Sequence, residues 1–252
     1  MSVRPRKELG QHFLVDENIL GVVERLAELQ PDDVVLEIGP GLGMLTRFLA
    51  ARVRHVHAAE LDTRLEEQLA GIARTTVHWG DALHLDATRL DPPPRKLVAN
   101  LPYNVATPIV VESLAVQQLE LWCVMVQREV ADRFFAVPST KAYGAVSVLV
   151  QLAAVRTGFH PVSREVFRPR PNVDSALVAF RRSGPGATPE VKRLVEAAFA
   201  HRRKTLANAL ALAGLASRER AGRALAAIGR DENVRAEALA PAEFPALAEA
   251  LR

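Results

Sequence analysis

The 252-residue sequence has one cysteine, few aromatic residues and almost no net charge. The single Cys123 excludes an internal disulfide framework and a cysteine-based zinc cluster. No apolar run approaches the ~20 residues of a membrane-spanning helix, and the nearest, 145–155, is interrupted by Ser147 and Gln151. The first ten residues carry basic side chains with no apolar stretch after them, which does not fit a signal peptide. We therefore expect a soluble, cytoplasmic protein.

The composition is that of a globular protein. Apolar residues make up 49% of the chain and charged residues 24%, which argues against wholesale disorder. The length fits one large domain, or one large and one small domain. Because the formal charge is only +3, the position of the basic residues is more informative than their sum.

Short apolar runs rich in β-branched residues alternate with helical patterns through most of the chain. Strands are predicted at Val34–Ile38, His55–Leu61, Thr76–Trp79, Lys96–Ala99 and Leu119–Gln127, and helices at Thr46–Arg54, Asp62–Ala73 and Thr107–Val116. This alternation predicts an α/β fold with a doubly wound, mostly parallel sheet. A late alternating run, Ser175–Arg182, predicts an antiparallel strand at or near the sheet edge.

The composition changes at a linker-like run, Ser-Gly-Pro-Gly-Ala-Thr-Pro, at 183–189. Thr188 before Pro189 is typical of a helix N-cap followed by proline at the first helical position. Alanine- and leucine-rich helical patterns follow at Pro189–Ala200, Lys204–Ala213, Ser217–Ile228 and Pro241–Leu251. We therefore expect two domains, an α/β domain at 1–183 and a small all-helical domain at 184–252.

A glycine-rich loop, Glu-Ile-Gly-Pro-Gly-Leu-Gly at 37–43, follows the first predicted strand. Glycines allow a sharp turn and a close approach to a ligand, and the helix N-terminus that follows favours negative groups. The third glycine of a dinucleotide fingerprint would fall on Met44, and no Gly-Lys-Ser/Thr follows, so the NAD and P-loop patterns both fail. A plain strand-to-helix turn is the alternative.

Acidic residues end the next two predicted strands. Glu60 lies about twenty residues past Gly39, where a carboxylate can accept hydrogen bonds from both ribose hydroxyls. Asp81 ends the third strand, where it would accept from an adenine amino group or simply cap a helix. Together with the glycine loop, these strand ends outline a nucleoside pocket at the carboxyl edge of the sheet.

The motif Asn100-Leu101-Pro102-Tyr103 follows the fourth predicted strand. It suits methylation of an exocyclic base amine. The nitrogen lone pair of such an amine is delocalised into the ring, and it becomes more nucleophilic when the two N–H groups donate hydrogen bonds to fixed acceptors. The Asn100 side-chain carbonyl and the Leu101 backbone carbonyl are the expected acceptors, and Pro102 fixes the turn. Tyr103 offers a flat face to the base. A plain turn is the alternative reading.

These elements resemble the class I S-adenosylmethionine-dependent methyltransferases. The resemblance implies a Rossmann-like methyltransferase fold with a seven-stranded, mostly parallel sheet. It also implies that Gly39 and Gly41 face the methionine part of the cofactor, that Glu60 holds the ribose, and that Asp81 and Ala82 hold the adenine.

Further stretches make the resemblance specific to one family within this class. They are Gly10–Leu14, Phe167–Ser175, Phe199–Asn208 and Arg235–Glu237. With the Asn100 motif they are similar to the KsgA-type small-subunit ribosomal RNA adenine dimethyltransferases, over almost the whole chain. That family implies N6,N6-dimethylation of two adjacent adenines in a hairpin near the 3′ end of 16S rRNA, during ribosome assembly. S-adenosyl-L-methionine would be the methyl donor and S-adenosyl-L-homocysteine the product. The implied partner is the assembling small subunit, with no membrane or metal involved, and the implied state is a monomer.

Site roles also come from the resemblance. Gln11, His12 and Leu14 would contact the cofactor, as would Asn100; because many relatives have Asn in place of His12, a backbone role is expected there. Phe167 would stack on the extruded adenine opposite Tyr103, with ordinary core packing as its alternative. The flanking arginines would meet phosphates; these are Arg168 and Arg170.

Positive charge concentrates between Glu190 and Arg235, a segment that contains ten basic and five acidic residues. This +5 exceeds the surplus of the whole chain, so the remainder is net −2. The contiguous basic run 202–204 favours phosphate contact over a merely solvated helix face. We therefore expect the helical domain to bind RNA through Arg202, Arg203 and Lys204. Arg4, Arg6 and Lys7 are a second contact or only a solubilising tail.

Three other functions remain open. One is a large-subunit rRNA adenine methyltransferase conferring macrolide resistance, against which the 202–206 run and Arg235–Glu237 favour the small-subunit enzyme. Another is a non-catalytic ribosome assembly factor, disfavoured because the residues needed for chemistry are all present. The third is a nicotinamide oxidoreductase, which Met44 opposes.

Overall fold

The structure is a computed structural model that describes residues 5–6 and 9–252. Arg4 and Lys7 of the N-terminal basic cluster lie outside the described residues. The chain forms two compact units: one holds the described residues up to Ala131 together with Val155–Arg182, and the other holds Asp132–Ala154 and Ser183–Arg252.

The division between the units differs in one respect from the expected boundary near 183. The last point at which the chain passes from one unit to the other, between Arg182 and Ser183, lies where the composition changes. Residues 132–154, however, belong to the second unit, because their partners are there. The Tyr143 hydroxyl, for example, donates to the backbone carbonyl of Leu239 at 2.7 Å.

The first unit is built on a seven-stranded sheet, which confirms the predicted fold class. Its strands are β2 (Val34–Ile38), β3 (His55–Glu60), β4 (Thr75–Trp79), β5 (Lys96–Asn100), β6 (Leu121–Gln127), β7 (Ala154–Val162) and β9 (Ser175–Arg182), in the order β4-β3-β2-β5-β6-β9-β7. Strands β2 to β6 pair in parallel, and β9 pairs antiparallel with β6. The two short strands β1 (Phe13–Leu14) and β8 (Phe167–Arg168) form a separate antiparallel pair.

Strand β7 escaped sequence prediction, whereas the central strands were easy to recognise. All five residues of β2 are buried, as expected for a parallel strand covered on both faces, which reads as a continuous apolar run. Most of β7 is exposed or half-buried and includes Pro161, so it lacks that signal.

Helices of the first unit are α1 (Asn18–Leu26), α2 (Met44–Ala50), α3 (Glu66–Leu69) and α4 (Ala106–Ser113), and α5 (Arg128–Phe134) follows β6. The predicted helix Asp62–Ala73 is only a 3-10 turn at Thr63–Leu65 followed by α3. Gly71, with φ of +72°, lies beyond the end of that short helix.

The second unit is helical, with α6 (Ala145–Ala153), α7 (Pro189–Ala200), α8 (Leu206–Leu212), α9 (Arg218–Ala227) and α10 (Glu243–Ala250). The Thr188 side chain accepts from the Val191 N–H at 3.2 Å, with Pro189 opening α7, so the predicted cap is confirmed. Thr205 and Ser217 cap α8 and α9 in the same way. Across residues 5–6 and 9–252, no helix combines the length and apolar character needed to cross a membrane.

Candidate functional site

A cavity of about 1100 Å³, counting its open mouth, lies at the carboxyl edge of the sheet. The chain reverses the direction of strand order between β2 and β5, and such a switch point is where doubly wound sheets bind ligands. The lining comes from an N-terminal segment, which we call the strap (residues 9–14), the glycine loop 37–42, the strand ends 59–61 and 80–82, and segment 100–105. All predicted cofactor-binding residues line it: Gln11, His12, Leu14, Gly39, Gly41, Glu60, Asp81, Ala82 and Asn100.

The glycine loop needs glycine for two physical reasons. Gly39 and Gly41 have φ of +73° and +58°, a region that side chains disfavour. A Cβ at Gly41 would also approach the Phe13 ring to 2.9 Å, and one at Gly39 would approach the Pro102 ring to 3.2 Å. The loop therefore packs directly against the strap on one side and the Asn100 motif on the other.

Glu60 is placed at the cavity by the end of β3. Its side chain is buried, and it accepts hydrogen bonds from the backbone N–H groups of Gly41 (3.1 Å) and Asp62 (2.9 Å). Burial raises the pKa of Glu60, and these two bonds act in the opposite direction. The Leu61 backbone N–H also bonds to Glu60, and because a carboxylate offers about four acceptor positions, the group can still accept from a ligand hydroxyl.

Asp81, at the end of β4, caps the following turn and also lines the cavity. Its Oδ1 accepts from the Leu83 N–H at 2.9 Å. Its Oδ2 lies 3.6 Å from the His84 ring nitrogen Nδ1. Ala82 follows it in the lining.

Asn100 presents a buried acceptor with no partner. Its Nδ2 donates to the His12 backbone carbonyl at 3.0 Å, which fixes the orientation of the amide because a carbonyl can only accept. Its Oδ1 is buried, and no hydrogen-bond partner for it exists among the described residues. An unsatisfied buried acceptor is costly, so the site fits a ligand that brings an N–H donor. Leu101 also lines the cavity. Because its side chain is apolar and buried, only its backbone can form hydrogen bonds.

Tyr103 is anchored rather than free. Its hydroxyl lies 2.5 Å from the Ser175 hydroxyl, and burial raises the pKa of the phenol. The His12 ring lies against it, with centroids 5.1 Å apart and a 32° tilt. The His12 Nδ1 is in turn 2.7 Å from the Pro169 backbone carbonyl, so in the neutral ring Nδ1 carries the proton.

The structure does not bring Phe167 to the cavity, which corrects the expected stacking role. Its ring is fully buried in the hydrophobic core with neighbours such as Ile19 and Leu177. Strand β8 pairs Phe167 with Leu14 of β1, and both side chains pack inward. The core alternative is therefore correct, and the flat side chain beside Tyr103 is His12.

The predicted phosphate-binding arginines are exposed on their own units. Arg170 forms a 2.8 Å ion pair with Glu165, and Arg168 donates to the Phe167 backbone carbonyl at 2.9 Å. In the second unit, the run Arg202, Arg203 and Lys204 is exposed in the turn between α7 and α8, as a phosphate contact requires.

Sequence reasoning missed the role of Glu37, a buried carboxyl directly below the glycine loop. Its side chain is 1% exposed, and its Oε2 finds no hydrogen-bond partner in the described part of the chain. Burial, together with the negative charge of Glu60, raises the pKa of Glu37 to about 8. The available signal was an acid inside the apolar strand Val-Val-Leu-Glu-Ile.

A histidine cluster on β3 and β4 was also missed. His57 Nδ1 lies 3.0 Å from His78 Nε2, and His57 Nε2 is 2.8 Å from the Pro92 backbone carbonyl. The His55 and His57 rings lie 4.6 Å apart. Alternate residues of one strand share a face, and the spacing His-x-His was the available signal.

The fold and the site define a class of protein: a doubly wound α/β protein whose glycine loop and strand-end acids surround a cavity at the carboxyl edge of the sheet. A family model described as ribosomal RNA adenine dimethylase matches residues 3–251. A ribosomal RNA small subunit methyltransferase A of Rubrobacter xylanophilus is 47% identical, with 97% of this chain and 94% of the relative covered. The protein of that name from Thermobifida fusca is 45% identical, with 99% and 91% covered.

Solved structures agree with this result. A dimethyladenosine transferase from Plasmodium falciparum shares the fold, with a TM-score of 0.75 at 24% identity over 94% of this chain and 96% of that one. The 23S rRNA methyltransferase ErmE has a TM-score of 0.62 at 30% identity over 95% and 99%. The chain therefore belongs to the ribosomal RNA adenine dimethylase family, and it is an rRNA adenine dimethyltransferase enzyme.

Proposed function

We propose that this enzyme dimethylates N6 of two adjacent adenines in a hairpin near the 3′ end of small-subunit (16S) rRNA during ribosome assembly. The choice of subunit is supported by the curated relatives, which bear a small-subunit name at 40–47% identity across nearly the full chain. The chemistry is supported by one observation above all, the buried and unpartnered Oδ1 of Asn100 in the cavity.

The proposed methyl donor is S-adenosyl-L-methionine, with S-adenosyl-L-homocysteine as the product. When bound, the donor supplies an activated sulfonium methyl group. Gly39 and Gly41 would hold its methionine part, Glu60 its ribose hydroxyls, and Asp81 with Ala82 its adenine. The assignment is supported by the position of all these residues in the cavity lining.

Asn100 and its neighbours would activate the target amine by position. The Asn100 Oδ1 accepts a hydrogen bond from one N–H of the adenine amino group, and the Leu101 backbone carbonyl accepts one from the other. These two bonds reduce the delocalisation of the nitrogen lone pair into the ring, so the nitrogen becomes more nucleophilic. Tyr103, held by Ser175, gives the base a fixed flat face. Positioning of this kind lowers a barrier by several kcal/mol without a strong base. Because Phe167 lies in the core, we assign it no contact with the base.

RNA binding is proposed for the exposed basic residues. Arg202, Arg203 and Lys204 in the second unit would neutralise phosphates, and Arg168 and Arg170 would do so on the first unit. We further propose that the enzyme acts as a cytoplasmic monomer on the assembling small subunit. The net +5 of residues 190–235 supports the assignment of RNA binding to the second unit.

Transfer of tritiated methyl groups to undermethylated small and large ribosomal subunits, followed by mapping of the labelled base, tests the proposal. We expect label on two adjacent adenines of the small-subunit RNA. Label on large-subunit RNA would instead indicate a 23S rRNA specificity like that of ErmE, to which this chain is 30% identical. No label on either, with intact RNA binding, would indicate an assembly factor.

A further inference from the structure

The strap (residues 9–14) covers one side of the cavity. Its middle and its C-terminal end are held to the rest of the unit by hydrogen bonds. At its C-terminal end, β1 pairs with β8, and the Val15 N–H donates to the Val166 carbonyl at 2.9 Å. In its middle, the His12 carbonyl accepts from Asn100. In the first half of the strap, the backbone N–H groups of Leu9 and Gln11 donate to the Arg6 carbonyl at 3.2 and 3.4 Å. Because these bonds stay within the N-terminal segment, its contact with the rest of the unit depends on side chains.

The Gln11 side chain supplies that contact. Its Oε1 accepts from the Arg6 backbone N–H at 2.8 Å, and its Nε2 donates to Asp62 Oδ2 at 3.0 Å. The orientation of the amide is fixed by chemistry, because an N–H can only donate and a carboxylate can only accept. The amide therefore points at protein groups at both ends, although it lies in the cavity lining.

Asp62 is a firm anchor for this bond. Its side chain is buried, and the Arg64 guanidinium grips it from two nitrogens, at 2.8 Å to Oδ1 and 2.5 Å to Oδ2. Arg64 holds the pKa of Asp62 down to about 2, so the carboxylate is ionised at neutral pH and its bond to Gln11 is charge-assisted. The Asp62 N–H also donates to Glu60.

We infer that Gln11 is a positioning residue that latches the strap over the cavity through Asp62, and that it affects ligand retention without touching the ligand. The latch links the strap directly to the segment that carries Glu60, the proposed ribose-binding group. Only the ligand readout of this inference rests on the proposed function; the contact itself joins two parts of the protein. A charge-assisted hydrogen bond of this kind corresponds to roughly a ten- to hundredfold change in an equilibrium.

Hydrogen exchange of the strap amides in the ligand-free protein tests the latch directly. In Gln11→Ala we expect those amides to exchange roughly ten- to hundredfold faster. Gln11→Glu should have at least as large an effect, because it sets a carboxylate against the Asp62 carboxylate. The matched control is Gln30→Ala, an exposed glutamine of the same unit, which should leave strap exchange unchanged. Unchanged exchange in both Gln11 variants would overturn the latch.

A double-mutant cycle then separates a latch from a direct ligand contact. Dissociation of S-adenosylhomocysteine is measured in the wild type, in Gln11→Ala, in Asp62→Ala and in the double variant, with folding checked by circular dichroism. A latch predicts that the effect of Gln11→Ala shrinks once Asp62 is changed. Additive effects would mean that Gln11 contacts the ligand, and would overturn the inference. If the wild type fails to bind S-adenosylhomocysteine, the proposed cofactor is wrong, and the exchange experiment still decides the latch.

Discussion

Glu37 provides the sharpest quantitative test of the site electrostatics. Its carboxyl is buried below the glycine loop with one oxygen unpartnered among residues 5–6 and 9–252. Burial raises the pKa of Glu37 from its usual 4.5 to about 8. At pH 7 the group is therefore protonated in the folded protein and ionised in the unfolded chain.

The sign and size of the effect follow from proton linkage. A raised pKa leaves stability fully present below pH 4.5, and that stability is lost as pH rises toward about 8. Between pH 5 and pH 7 the free energy of unfolding should fall by about 2 to 3 kcal/mol because of this one group. Glu37→Gln cannot ionise, so it removes this pH-dependent loss whatever its effect on packing.

The assay is urea unfolding of the wild type and Glu37→Gln at pH 5 and pH 7. We expect the variant to gain about 2 to 3 kcal/mol relative to the wild type between the two pH values. Glu67→Gln, at an exposed position of the same unit, should run parallel to the wild type. If Glu37→Gln also ran parallel, the carboxyl would be ionised in the folded protein and the reasoning from burial would be refuted.

Three further outcomes are expected. Asn100→Ala should still bind S-adenosylhomocysteine in calorimetry but lose methyl transfer by about a hundredfold or more; unchanged turnover would remove Asn100 from the mechanism. Glutamine substitutions at 202–204 should lower the slope of log K for RNA binding against log salt concentration by about 2 to 3. An unaltered slope would mean that this run is a solvated surface that makes no phosphate contact. Burial lowers the pKa of His78, so stability should fall as pH drops below about 6.5, and His78→Gln should flatten that fall in pH-dependent thermal melts. An equally steep fall in the variant would assign the effect to other groups.

Local patterns were sufficient to predict most of the first unit. Central parallel strands are apolar on both faces, so β2 and β6 stand out in the sequence. Strand ends at one sheet edge must converge, so Glu60, Asp81 and Asn100 could be placed in one cavity before any coordinates were known. The exposed strand β7 carried no such signal and was missed.

Residue type and short-range spacing were enough to predict six of the seven strands, the glycine loop and the convergence of the strand-end residues. Only the packed molecule decided that Phe167 lies in the core, that Gln11 bonds to Asp62 fifty-one residues away, and that burial raises the pKa of Glu37. Contacts between distant segments and the loss of hydration on burial are properties of the packed molecule. No local pattern of residues encodes them.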